Sequence, residues 1–149
     1  MIGKFIKYVP VGVLSVLVVL AIAYLSLWPD PVGEQEVMLF EGADKVIHFT
    51  MYFGATMVFI TDMVKFRYPH HVRANLSLAL MMVAVTLGVL MEAGQLVMRL
   101  GRSFDVYDMM SNALGALAGF LVMFFFGERY VRHSLRGHSH RRHHRSDSA

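Results

Sequence analysis

The chain contains no cysteine. Disulfides, thiolate nucleophiles and cysteine metal ligands are therefore excluded, and the redox compartment is left open. Charge is also scarce. Asp, Glu, Lys and Arg make up 17% of 149 residues, against about 25% in soluble domains. Charges, Pro or Gly bound each apolar block, with Trp28 and Pro29 closing the first. No basic face with interleaved aromatics occurs, so the pI near 9.4 does not argue for nucleic acid. No Gly-x-Ser-x-Gly context surrounds Ser103 or Ser111, so a serine nucleophile is not recognisable either.

What is abundant is apolar sequence: 56% of the residues, gathered in separate blocks with the charges between them. That is the layout of a polytopic membrane protein. A spanning helix needs roughly 20 mostly apolar residues, and the blocks place spans at about 9–27, 46–63, 76–98 and 109–126. The expected fold class is all-α, an integral membrane four-helix bundle. The domain plan is a short N-terminus over 1–8, a membrane domain over 9–127 and a disordered basic His/Arg-rich tail over 128–149. The first block also fits a cleaved signal peptide, with Lys4 and Lys7 before it and Ala21-Ile22-Ala23 as a cleavage site. Its apolar run is long for that role, and either reading leaves the following loop outside.

Lys and Arg set the direction. Lys4 and Lys7, then Lys65, Arg67 and Arg73, then Arg129, Arg132, Arg136, Arg141, Arg142 and Arg145 share one side. The positive-inside rule makes that side cytoplasmic, with both termini inside a plasma (inner) membrane. The first loop holds Asp30, Glu34, Glu36, Glu41 and Asp44 against Lys45 and belongs outside. Arg99 and Arg102 fall outside by alternation, against the rule, so something there retains them.

Polar residues recur at helical spacing at the outer ends of three spans. Asp44, His48 and Tyr52 stand at i, i+4 and i+8. Glu92, Gln95 and Arg99 stand at i, i+3 and i+7, and so do Asp105, Asp108 and Asn112. His48 lies roughly 6 Å below Asp44, Glu92 roughly 10 Å below Arg99 and Asn112 roughly 6 Å inside Asp108. A carboxylate or amide in hydrocarbon needs a partner or a wet cavity. One shared pocket, open outward, satisfies all three stripes. Its expected members are Asp44, Lys45, His48, Tyr52, Glu92, Gln95, Arg102, Asp105, Asp108 and Asn112.

This set resembles the VanZ-like family of small bacterial membrane proteins. The resemblance is carried by Asp44-Lys45-x-x-His48-x-x-x-Tyr52 and Glu92-x-x-Gln95. It continues through Arg102-Ser103-Phe104-Asp105-x-x-Asp108-x-x-x-Asn112-x-x-Gly115-x-x-x-Gly119. It covers about residues 40–125 in the expected order. It implies a four-helix membrane fold. The founding member is tied to low-level resistance to the glycopeptide teicoplanin, which gives a cell-envelope theme but no reaction.

Each residue also has a plain structural reading. His48 is a hydrogen-bonded interfacial side chain, a substrate contact, a metal ligand or a proton relay. No His-x-x-x-His or Glu-x-x-His spacing occurs in the spans, so no metal and no cofactor is assigned. Glu92 is either a functional group or one half of a buried ion pair with Lys45 or Arg102. Asp105 and Asp108 suit the helix dipole in the first turn of the fourth span, Ser103 or Asp105 can cap it, and Arg102 can equally grip a phosphate. Gly115 and Gly119 form a small-x-x-x-small face suited to close helix packing.

These residues support functions of different classes. One is binding of a membrane lipid or lipid-linked envelope precursor, with an influence on glycopeptide sensitivity. Another is an interfacial enzyme acting on a lipid headgroup, with His48, Glu92, Asp105 and Asp108 as acid–base candidates. Proton or ion movement through Glu92 lacks ionisable groups in the inner halves of spans three and four. A purely structural bundle would use the stripes only to fix helix register.

Overall fold

The computed structural model describes residues 8–27, 42–98 and 106–136. Helices account for nearly all of them, and no strand occurs among the described residues. We name the helices α1 (Val13–Leu27), α2 (Ala43–Arg67), α3 (Ala74–Met98), α4 (Val106–Val122) and α5 (Glu128–Arg136). A π-helical turn, Met123–Gly127, joins α4 to α5, so one helical run of 31 residues extends from Val106 to Arg136.

Three helical runs are long and apolar enough to cross a membrane: Ala43–Arg67, Ala74–Met98 and Val106–Arg136. α1 is apolar but shorter. Its 15 residues extend about 22 Å, less than the roughly 30 Å hydrocarbon core. The expected span over 9–27 begins later because Pro10 precedes a left-handed Gly12 (φ 86°), a conformation that glycine adopts without strain. α2 runs past its expected end to Arg67. Lys65 and Arg67 occupy its last turn, where the helix dipole favours cations. Pro69 then prevents Tyr68 from continuing the helix.

Against the disorder that composition predicts from residue 128, Glu128–Arg136 is helical. Two long-range anchors hold this helix. Arg132 is buried and donates to the carbonyls of His70 (2.7 Å) and Pro69 (2.8 Å). Glu128 accepts from His71 Nδ1 (2.8 Å) and from the Val72 amide (3.3 Å). Local composition carries no trace of either contact. The segment 137–149 lies outside the described residues.

α2 is the central helix. It packs most extensively against α4 and also touches α1, α3 and α5. The close α2–α4 approach depends on small residues. A methyl group at Gly115 would overlap the Phe49 carbonyl, and one at Gly119 would come within 2.6 Å of the Phe53 carbonyl oxygen. The small-x-x-x-small face therefore does what its spacing suggests.

Burial is inverted relative to a water-soluble bundle. Ser26, Thr56, Asp62, Ser77, Glu92, Gln95 and Asn112 are buried. Leu17, Leu20, Val83, Leu90, Val97 and Phe126 are exposed. A lipid solvent explains both sets, because polar groups must turn inward while apolar side chains lose nothing by facing acyl chains.

Candidate functional site

The polar stripes of α2, α3 and α4 meet at one end of the bundle. α2 contributes Asp44, Lys45, His48 and Tyr52, α3 contributes Glu92, and α4 contributes Asp108 and Asn112. His48 sits at the centre. Its Nδ1–H donates to Asn112 Oδ1 at 3.0 Å. Glu92 Oε1 lies 3.9 Å from the same ring nitrogen, and Asp108 Oδ2 lies 3.9 Å from Nε2. His48, Glu92 and Asp108 each offer a donor atom within 4.8 Å of the other two.

Depth within the cluster is graded. Glu92 and Tyr52 are 0% exposed and Asn112 is 2% exposed. The side chains of His48 and Asp108 are 12% and 15% exposed. Lys45 forms the rim at 36% side-chain exposure, with Nζ 2.9 Å from Asp44 Oδ2 and 3.6 Å from Asp108 Oδ1. Gly88, one turn before Glu92 on α3, makes room for this arrangement. A Cβ there would lie 3.1 Å from Asn112 Nδ2 and 3.3 Å from Tyr52 Cε1.

The chemistry available follows from those positions. An imidazole beside two carboxylates of unequal exposure brings proton-exchanging groups together, with each carboxylate 3.9 Å from the ring and Nδ1 bonded to Asn112. A cation at the rim gives an anion a point of entry. A nitrogen donor beside two carboxylates is also a set that transition metals accept.

Gln95 is placed differently from the rest. It is buried, and its Nε2 donates to the Ser26 carbonyl at 2.8 Å. That carbonyl is one of those an α-helix leaves without an internal partner at its C-terminus. Gln95 thus ties α3 to the end of α1. Arg102 and Asp105 lie outside the described residues, as do Arg99 and Ser103.

A second polar centre, near the opposite end of α2, was not expected. Asp62 is buried and accepts from the Ser15 amide (3.1 Å) and from Ser15 Oγ (2.8 Å). Its Oδ1 lies 3.8 Å from Lys65 Nζ, and Lys65 donates to the Val9 carbonyl at 2.7 Å. Asp62 therefore caps the N-terminus of α1 from a neighbouring helix. The available signal was a lone acid in the apolar stretch VFITDMV, three residues before a lysine.

The VanZ/LLP1 family model matches residues 2–127. This chain belongs to the VanZ/LLP1 family. The matched segment of this VanZ-like membrane protein contains α1 to α4, every residue of the polar cluster and the π-helical turn. α5 lies beyond it. Comparison with curated proteins and with solved structures gave no match.

Proposed function

We propose that this VanZ-like protein binds a phosphate-bearing envelope lipid or lipid-linked precursor in its polar cluster, which opens to the outer face of the inner membrane. The observation that carries this reading is the convergence of His48, Glu92, Asp108 and Asn112 from three helices under a cationic rim at Lys45. The Lys and Arg distribution supports the direction, with both termini cytoplasmic. Lys45 and Arg102 take the phosphate, and Tyr52, His48 and Asn112 bound the pocket beneath it. Holding a precursor there would change its exposure to glycopeptides and so alter sensitivity to them.

A second reading has its own support. His48 lies 3.9 Å from each of two carboxylates, which suits general acid–base work on a lipid headgroup. In that role Glu92 and Asp108 are the groups whose protonation His48 couples.

Native mass spectrometry of detergent-purified protein with lipid identification tests binding. The wild type should retain a phosphate-bearing lipid that Lys45→Ala and Arg102→Ala lose. Equal, nonspecific lipid profiles in all three proteins would contradict it.

A further inference from the structure

We propose that His48, Glu92 and Asp108 bind a divalent transition-metal ion, of the Zn2+ or Mn2+ class, at the floor of this pocket. The inference builds on the pocket reading, since the metal is what lets an anionic headgroup approach two carboxylates.

The donor set is one imidazole nitrogen and two carboxylate oxygens, drawn from three different helices and within 4.8 Å of one another. That composition suits Zn2+ or Mn2+ better than the soft metals that prefer sulfur. Metal–donor distances of about 2.0–2.2 Å require Asp108 to draw inward on loading and Glu92, which lies nearest Nδ1, to swing across the ring edge toward Nε2. Because each ligand sits on a separate helix, no two share a sequence spacing, and a local motif cannot reveal the site.

Ligand preparation supports the assignment. Asn112 Oδ1 takes the proton on His48 Nδ1. This fixes the tautomer and leaves Nε2, on the Asp108 side, with a free lone pair. A second polar group holding the non-ligating nitrogen is the usual support of a metal-bound histidine.

An independent observation comes from the walls. Tyr52 Oη and Asn112 Nδ2 are both buried without a hydrogen-bond partner. Buried polar atoms are normally satisfied. Asn112 Nδ2 belongs to the side chain that holds His48, and Tyr52 packs beside it at Gly88. A bound water drawn in beside the cluster would give the amide an acceptor and the phenol a partner. The charge also favours it. Carboxylates buried at membrane depth need nearby positive charge, and a divalent ion reverses the local field from one that repels phosphate to one that attracts it.

The test uses the full chain with His138, His140, His143 and His144 replaced by serine, so that the His-rich tail does not capture metal. The protein is loaded with Zn2+ or Mn2+, freed of unbound ion, and measured for metal by mass spectrometry and for lipid in parallel. The expected result is about one ion per chain, the content of a mononuclear site. His48→Gln and Asp108→Asn should lose that ion, and Asn112→Ala should weaken binding by roughly 10- to 100-fold. X-ray absorption on the zinc-loaded chain with native site residues needs no site variant. One imidazole with oxygen donors supports the site. A shell made of several imidazoles, no retained metal, or unchanged metal in the His48 and Asp108 variants overturns it. Lipid retained without metal removes the metal alone, and metal retained without lipid removes the lipid reading alone.

Discussion

His48 Nδ1 and Asn112 Oδ1 are 3.0 Å apart, a hydrogen bond that joins α2 to α4 inside the polar cluster. It orients the imidazole, because the ring can satisfy Asn112 only by turning Nε2 toward Asp108. Replacing Asn112 with alanine should leave a buried ring N–H without its acceptor, at about 1–3 kcal/mol. Reversible unfolding in detergent or bicelles measures this. Full stability in Asn112→Ala would show that the bond does not order the site.

The α2–α4 contact predicts a contrast between two glycines. At Gly115 an added methyl group overlaps the Phe49 carbonyl, whereas at Gly54 nothing lies within 4 Å. Gly115→Ala should destabilise by about 1–3 kcal/mol, the usual effect of overpacking. Gly54→Ala should be neutral or slightly stabilising through helix propensity. Both substitutions remove a helical glycine, so a shared response would point to propensity and away from helix separation.

Asp62 and Ser15 should behave as a coupled pair. Ser15→Ala removes one hydrogen bond to a carboxylate and should destabilise by about 1.5–3 kcal/mol. In Asp62→Ala the same serine change should have much less effect, giving an interaction energy within the roughly 0.5–3 kcal/mol found for residues in contact. A double-mutant cycle measures it, and strict additivity would dissolve the proposed cap on α1.

The orientation can be tested in a background that already lacks cysteine. Lys45→Cys, at the rim, should react with a membrane-impermeant maleimide added to intact cells. Tyr130→Cys, exposed on α5, should react only after the cells are permeabilised. The opposite pattern would reverse the bundle.

Much of the site was readable because depth in a helix is simple arithmetic. His48, Glu92, Asp108 and Asn112 each lie within a few turns of the same bundle end, and lipid leaves such groups nowhere to turn but toward one another. Gly115 and Gly119 were readable for a related reason, since their spacing puts both on one face. Other features depend on partners far away in the chain. Gln95 shares a stripe with Glu92, but its amide is drawn to the end of α1 by Ser26. Residues 128–136 look too polar for a docked helix until the carbonyls of Pro69 and His70 are seen under Arg132. Asp62 has Lys65 one turn along its own helix, but the contact that makes it a cap comes from Ser15 on α1, far away in the chain. Helical periodicity reports the faces of one helix at a time and cannot report which neighbour each face meets.

Native mass spectrometry with lipid identification, on wild type beside Lys45→Ala and Arg102→Ala, tests lipid binding by the cluster. The expected result is a phosphate-bearing lipid held by the wild type and lost when either cation, Lys45 or Arg102, is removed. The same lipid profile in all three proteins would contradict the account and leave the polar cluster as a device for fixing helix register.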